Sequence, residues 1–307
     1  MSEPARTPLV VVAGPTAAGK TQAALRLARA LDGELVGADS VQVYRGFDVG
    51  SAKPTATELD GVAHHLIDVL DPNEEVDAQR YADLADVAIG EIHARGRLPV
   101  VVGGTGLWIR ALLRGLVALP PVDHALRGRL EDEARRLGSP ALHTRLSAID
   151  PLAVTKIHPN DTLRIVRALE VYEQTGTPLG ELRRTHALGA DRYRALFCVV
   201  DRPREELSAR IDARAGAMLA AGWIDEVRTI IARHGLTPRA LSAVGYREVV
   251  AHLERGLPLE ETQARIVSAT RRYARHQRTW FRGEPGVIVR CGPEELTPER
   301  VKGELAG

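Results

Sequence analysis

The chain is predicted to be an α/β protein, a P-loop-type parallel sheet flanked by helices, with an all-helical insertion domain. Three observations predict it. Short apolar runs bounded by glycine, such as Leu9-Val10-Val11-Val12-Ala13 and Pro99-Val100-Val101-Val102, have the texture of strands buried on both faces. Segments with helical spacing of apolar residues alternate with them, the signature of a doubly wound sheet. From Leu119-Pro120-Pro121 to about His186 strand signals stop altogether.

Taken in order, Leu9–Ala13 is the first strand and Thr21–Leu31 the helix behind a glycine-containing loop. Glu34–Ala38 is the second strand. Ala78–Arg95 is helical, with Tyr81, Leu84, Ala85, Ala88 and Ile92 on one face, and Pro99–Val102 is the third strand. The insertion holds helices over 127–137, 140–148 and 161–175, separated by Gly138-Ser139 and Gly176-Thr177-Pro178. Arg194–Val200 resumes the strand pattern. Helices follow over 205–221, 224–234, 246–255 and 259–281, with a last strand at Val287–Arg290. The domain limits are therefore 1–119 for the first part of the core, 120–190 for the insertion and 191–307 for the rest of the core with its basic C-terminal helices.

The loop after the first strand, Gly14-Pro15-Thr16-Ala17-Ala18-Gly19-Lys20-Thr21, fits G-x-x-x-x-G-K-[S/T] in full and lies between a strand and a helix. Such a loop cradles phosphate oxygens on backbone N–H groups at a helix N-terminus. Lys20 adds a point charge, and the Thr21 hydroxyl is placed to ligate Mg²⁺. A nucleotide, ATP above all, is the usual ligand, but any diphosphate ester satisfies the same donors. Asp39 ends the second strand and Gly103-Gly104-Thr105-Gly106 ends the third, so both share the ligand-binding rim of an open parallel sheet. The alternative for Asp39 is a turn or helix-capping aspartate. Asp201, after the strand Leu196–Val200, has a competing claim as an acidic site residue, but Arg202-Pro203 follow directly and point to a structural cap.

Composition excludes several classes. No apolar run is long enough to span a membrane, the first seven residues have no leader-like apolar stretch, and a cytoplasmic protein is expected. Cys198 and Cys291 are isolated, which supports neither a zinc cluster nor a disulfide framework. Net charge is +1, from 41 basic and 40 acidic residues, which read alone argues against nucleic acid. Only four basic residues are lysines: Lys20, Lys53, Lys156 and Lys302.

Several blocks together resemble the tRNA dimethylallyltransferases (tRNA isopentenyltransferases). They are the phosphate loop; Asp39-Ser40-Val41-Gln42-Val43-Tyr44; Asp48-Val49-Gly50-Ser51-Ala52-Lys53-Pro54; His64-His65-Leu66-Ile67-Asp68; Val102–Leu107; Asn160-Asp161 with Arg164 and Arg167-Ala168-Leu169-Glu170; Gly245-Tyr246-Arg247-Glu248; and Gln277-Arg278-Thr279-Trp280-Phe281. The phosphate loop is shared by many families; joined to Asp-Ser-x-Gln-x-Tyr and Gly-Ser-Ala-Lys it is specific to this one. Departures are mild: Ser51 stands where threonine is common, Leu163 where a glutamine often contacts RNA, His276 for a basic residue, and Arg247 often appears as lysine.

The resemblance implies transfer of a dimethylallyl group from dimethylallyl diphosphate to N6 of adenosine 37 in tRNAs that read codons beginning with U. By that analogy Gly14, Thr16, Ala17, Ala18, Gly19, Lys20 and Thr21 hold the diphosphate with Mg²⁺, and Arg214 closes over it, with Arg210 four residues away. Asp39 is the general base and Thr105 positions the reacting groups. Asp39, Ser40, Val41, Gln42 and Thr105 meet the target base, and Arg127, Leu163, Arg164, Arg167, Arg247, Arg275 and Arg278 contact the tRNA; Arg164 and Arg167 also have a helix-packing reading with Glu170. The insertion grips the anticodon stem, and the enzyme acts as a monomer. The runner-up is a phosphate-loop small-molecule kinase using ATP, and a third reading is an RNA-binding NTPase.

The charge distribution fits an RNA partner better than the total does. Residues 1–122 carry net −4, residues 196–282 net +5, and Ala264–Arg282 holds six arginines and no acid. Arg271, Arg275, Arg278 and Arg282 recur at helical spacing beside a seam of Ile266, Tyr273 and Trp280, as in a helix that packs on one side and offers arginines to phosphates. The alternative is a solvated charged face.

Overall fold

The computed structural model describes residues 7–185 and 191–306. The first six residues, read above as no leader, and the expected insertion limit at residue 190 lie outside them. The chain divides into two compact units, one reaching Leu113 and resuming at Arg192, the other spanning Arg114–Asp191.

The first unit begins with β1 (Pro8–Ala13), α1 (Lys20–Ala30), β2 (Gly33–Ala38), α2 (Ala56–Leu59), β3 (His64–His65), α3 (Ala78–Ala94), β4 (Leu98–Gly103) and α4 (Gly106–Arg114). The second unit is helical in its described residues: α5 (His124–Leu137), α6 (Ser139–Ile149), α7 (Pro151–Val154), α8 (Thr162–Thr175) and α9 (Leu179–Thr185). The first unit then resumes with β5 (Arg194–Val200), α10 (Arg204–Ala220), α11 (Trp223–His234), a 3-10 turn at Arg239–Ser242, α12 (Tyr246–Arg255), α13 (Leu259–Arg282), β6 (Val287–Cys291) and α14 (Pro298–Ala306). The order of strands in the sheet is β3-β2-β4-β1-β5-β6, and every pairing is parallel.

This order places the site. The chain leaves β1 toward β2 on one side and returns from β4 past β1 to β5 on the other, so the direction of winding reverses at the β4–β1 pair. Ligands of open α/β sheets bind in the crevice at the carboxyl ends of the strands flanking such a point. Alternate residues of β1 point to opposite faces, and all from Leu9 to Ala13 are buried because helices cover both faces. One face packs Val10, Val12, Val100, Val102 and Cys198 against Ala24, Leu27, Leu207, Ile211 and Ala274.

The second unit has its own core, built on Leu130, Leu142, Leu146, Ile165, Leu169 and Leu179. Glu170 is fully buried there. It accepts from Arg127 Nη2 (2.6 Å) and from the Asp123 amide (3.0 Å), and forms an ion pair with Arg167, whose Nη1 lies 3.0 Å away. Burying a carboxylate requires such partners, so Arg127 holds α5 to α8, while Arg167, on α8 itself, also donates to the Pro120 carbonyl (2.8 Å). Arg164 is exposed, with Asp161 at 3.4 Å, and Leu163 is 79% exposed.

Elements that the pattern analysis left unassigned are the short ones, α2, β3, α7 and the 3-10 turn, together with α4, α9 and α14. A two-residue strand carries no periodicity to detect, and α4 starts on a glycine. At the edge of the sheet away from the site, Glu34 is 3% exposed. It binds Arg95 (2.7 Å), Arg97 (3.1 Å) and His65 (2.6 Å), joining β2, β3 and the α3–β4 link. The hydrogen bonds from Arg95 hold its carboxyl at about 2, against the opposing effect of burial. A depressed carboxyl contributes stability that is present above its ordinary value near 4.5 and is lost as pH falls toward 2. Replacement by glutamine is expected to cost about 2–3 kcal/mol at neutral pH and to flatten the pH dependence of unfolding over that acid range, as read by denaturant titration at a series of pH values.

Candidate active site

Three loops meet at the carboxyl ends of β1, β2 and β4. Each is held by contacts the sequence pattern does not show. Gly14 turns the phosphate loop with φ 146°, and a Cβ there would run into the Val200 carbonyl of β5, so the loop approaches its neighbour strand as only glycine allows. Ala17 lies in the left-handed region at φ 64°, a conformation that costs energy for a residue with a Cβ and recurs at ligand sites. Lys20 Nζ folds back onto the Pro15 carbonyl (2.7 Å).

Two arginines from α10 close over this loop. Arg210 Nε donates to the Ala17 carbonyl (2.9 Å). Arg214 reaches Thr16 Oγ1 (3.5 Å) and the Ser51 carbonyl (3.4 Å). Among the described residues Lys20, Arg210 and Arg214 bind carbonyl and hydroxyl oxygens and no carboxylate. Burial pulls the Lys20 ammonium down to about 8, with Asp39 acting in the opposite direction and Arg214 adding to the fall. Burial also lowers Arg214. Cations held this way are short of an anion, and a diphosphate supplies one.

Asp39 faces them. Its Oδ1 accepts from the amides of Val41 (2.9 Å) and Gln42 (3.2 Å), so it does cap the following turn. Its second oxygen makes no hydrogen bond among the described residues, and Asp39 is the only carboxylate lining a cavity of about 360 Å³. The capping and chemical readings therefore coexist in one side chain. Thr105 brackets it: its amide donates to the Ala38 carbonyl (3.2 Å), and its hydroxyl accepts from the Ser40 amide (3.3 Å). Thr105 thus holds Asp39 from both sides.

Around the polar groups the wall is apolar, with Ile211, Met218, Trp223, Val244, Tyr246 and Ile266. His64 also lines it. Neither ring nitrogen has a partner, and burial pushes its pKa down to about 4, so the ring is neutral. The 48–53 loop forms one side. Glu226 accepts from the amides of Asp48 (2.8 Å), Val49 (2.5 Å) and Gly50 (3.1 Å) and from the Tyr246 hydroxyl (2.8 Å). Lys53 binds Asp48 (2.6 Å), Asp68 (2.5 Å) and the Tyr44 carbonyl (3.0 Å).

The match of residues 42–284 to the family described as IPP transferase covers most of the chain. The chain belongs to the IPP transferase family. It is 54% identical over 288 residues to a tRNA dimethylallyltransferase of Anaeromyxobacter sp. (strain K), covering 94% of each chain. A solved tRNA isopentenylpyrophosphate transferase from Bacillus halodurans superposes with TM-score 0.70 at 38% identity, over 98% of this chain and 96% of that one. A eukaryotic dimethylallyltransferase solved while acting on tRNA gives TM-score 0.77 at 27% identity, over 96% of this chain and 75% of that one.

For this member of the IPP transferase family, the cavity gathers Thr16, Ala17, Lys20, Thr21, Asp39, Ser40, Val41, Gln42 and Arg214. Gly14, Ala18 and Gly19 shape the loop behind it. Gln42, expected to meet the target base, lines the cavity and donates its side-chain amide to the Ser51 (2.9 Å) and Ala52 (3.3 Å) carbonyls. The arginine face of α13 is partly paired. Arg278 binds Asp201 (2.7 Å) and the Arg202 carbonyl (3.1 Å), Arg271 binds Asp212 (2.5 Å), and Arg265 binds Glu261 (2.6 Å). The acids missing from the Ala264–Arg282 stretch come from α10, the β5 end and the first turn of the helix. Tyr273 departs from the expected seam and lines the cavity. Arg247 pairs with Glu248 (2.7 Å), while Arg272, Arg275 and Arg282 have no ion-pair partner among the described residues. Gln277, Glu226 and Tyr246 were not singled out; the signal for Gln277 and Tyr246 was their place in the resemblance blocks.

Because Lys20 is poised near 8, affinity for an alkyl diphosphate is expected to fall as pH rises from about 7 to 9, when the ammonium loses its charge. Calorimetric titration across that range checks this, and Lys20→Met is expected to bind weakly with no such decline.

Proposed function

We propose that this enzyme transfers the dimethylallyl group of dimethylallyl diphosphate to N6 of adenosine 37 in tRNAs that read codons beginning with U, releasing diphosphate. The observation that carries the reading is one cavity lined together by half-buried cations that contact no carboxylate, by the lone carboxylate of Asp39 and by apolar side chains. The apolar wall favours a prenyl diphosphate over ATP in the phosphate loop. The relatives' names supply the tRNA acceptor.

The reaction breaks the bond between the allylic C1 and its diphosphate oxygen and forms a bond from C1 to N6. Negative charge grows on the departing diphosphate, where Lys20, Arg214 and the loop amides stand ready, so they stabilise the transition state more than the ground state. The N6 amine loses a proton as it attacks, and the free Asp39 oxygen receives it. Thr105 fixes that oxygen by holding the residues on either side of Asp39. The adenine leaves its stack to enter, at a cost of a few kcal/mol.

A magnesium ion fits in one form only. Among the described residues no cluster of three acidic, histidine or cysteine side chains exists to hold a metal alone, but the Thr21 hydroxyl lines the cavity and makes no hydrogen bond among them. That donor set suits Mg²⁺ shared with substrate phosphates. When bound, the ion would add positive charge beside the leaving diphosphate. No helix among the described residues is long and apolar enough to cross a membrane. The proposed enzyme works in the cytoplasm, where its tRNA is, and as a monomer.

Incubation with labelled dimethylallyl diphosphate and an unmodified tRNA carrying adenosines at positions 36 and 37 is expected to move label into RNA. Label transfer from ATP instead would establish the kinase reading. Asp39→Ala is expected to lose about 10²–10⁴-fold in transfer rate with tRNA affinity retained; equal loss of both would make Asp39 a binding residue. For RNA contacts the unpaired arginines are the ones to test. Arg275→Ala is expected to lower the slope of log affinity against log salt by about 1, whereas Arg278→Ala, already committed to Asp201, is expected to leave it unchanged.

A further inference from the structure

Gln277 lies within α13 and is 6% exposed. Its two amide atoms reach the two halves of the site. Oε1 accepts from the Thr16 amide of the phosphate loop (2.8 Å), and Nε2 donates to the Gly104 carbonyl at the end of β4 (3.0 Å). Gly104 leaves room for this amide, since a Cβ there would run into Nε2. The residue after Gly104 is Thr105, which brackets Asp39. The path from diphosphate cradle to carboxylate is therefore continuous: Thr16, Gln277, Gly104, Thr105, Asp39.

We propose that Gln277 is a positioning residue that fixes the phosphate loop and the Gly104-Thr105 turn in register, setting the separation of the departing diphosphate from Asp39 before substrate binds. The Asp39 half of this rests on the proposed function; the loop half stands on geometry alone. The chemistry needs an amide of this length. A donor and an acceptor are required at once, which excludes a carboxylate and a hydrocarbon. Without it a backbone N–H and a carbonyl are left buried and unpaired beside the ligand. A loop fixed in advance spares the ligand the cost of ordering it, and a small misplacement of reacting groups lowers rate steeply.

The test uses the full chain with Gln277→Met, Gly104→Ala and the double variant, all assayed well below their Tm values. Gly104→Ala displaces the same amide from the other side and leaves residue 277 intact. Each single variant is expected to weaken inorganic diphosphate binding by about fivefold, and single-turnover dimethylallyl transfer at saturating substrates by at least about tenfold. tRNA affinity is expected to stay within about twofold, a pattern that a general loss of packing would not give. Since both changes act through one amide, the double variant is expected to be no worse than the poorer single variant. Diphosphate affinity within about twofold of the parent in both singles, or losses that multiply in the double variant, would overturn the proposal. If the parent transfers no label, the proposed function fails while the diphosphate cycle still decides the loop half. Should Gln277→Met not fold, Gln277→Glu keeps the acceptor and removes the donor, and an unchanged transfer rate in it would overturn the proposal equally.

Discussion

Positive charge held out of water without a carboxylate is the constraint around which the first unit is arranged. Lys20 and Arg214 are directed by the carbonyls of Pro15 and Ser51 and by the Thr16 hydroxyl. Oxygens of that kind orient a cation and leave its charge largely uncancelled. A carboxylate in contact would stabilise the empty protein and then compete with every diphosphate that arrived. The one carboxylate in the cavity, Asp39, instead has an oxygen occupied by two backbone amides.

Keeping those carbonyls in place explains much of the surrounding polar network. Ser51 sits in a loop that has little regular structure of its own. Glu226 collects three successive amides of it, Gln42 holds its far end, and Lys53 ties it to Asp48 and Asp68. The Glu226 bonds join distant parts of the chain and the others are more local; together they make the connection a wall that presents an oxygen to Arg214. The negative charge the site needs for its own architecture is thus placed behind the loop, on Glu226, where it cannot neutralise the cations.

What the sequence revealed and what it hid follow the same division. The phosphate loop and Asp39 were legible because local spacing decides them: a strand, a fixed loop length and a helix N-terminus need no knowledge of the rest of the fold. The ion pairs on the arginine face of α13 are not legible in that stretch because most of their acids lie elsewhere. Asp201 follows β5 and Asp212 sits on α10, so Arg278 and Arg271 looked unpaired in a stretch that contains no acid. Glu34 with Arg95 and Arg97, and Glu170 with Arg127, are hidden for the same reason, whereas Arg167 and Glu170 lie three apart on one helix. Gln277 gave no signal of its own in composition or periodicity, since a buried glutamine on a helix looks like any polar residue until both partners are known.

The scarce lysines can now be read in physical terms. In a chain with 37 arginines and four lysines, two lysines occupy positions where a guanidinium does not serve. Lys53 directs one ammonium at three oxygens in different directions, the Asp48 and Asp68 carboxylates and the Tyr44 carbonyl, while its side chain is 6% exposed. A planar fork matches two oxygens in its plane and has more bulk to bury. Lys20 curls back to a carbonyl five residues earlier within its own loop, and burial lowers its pKa while a guanidinium would remain charged at any working pH. Arg214, facing it, supplies the permanent charge. The pair divides the work: a fixed planar cation spans the loop and the Ser51 carbonyl, and a compact ammonium with an adjustable proton sits within the loop itself.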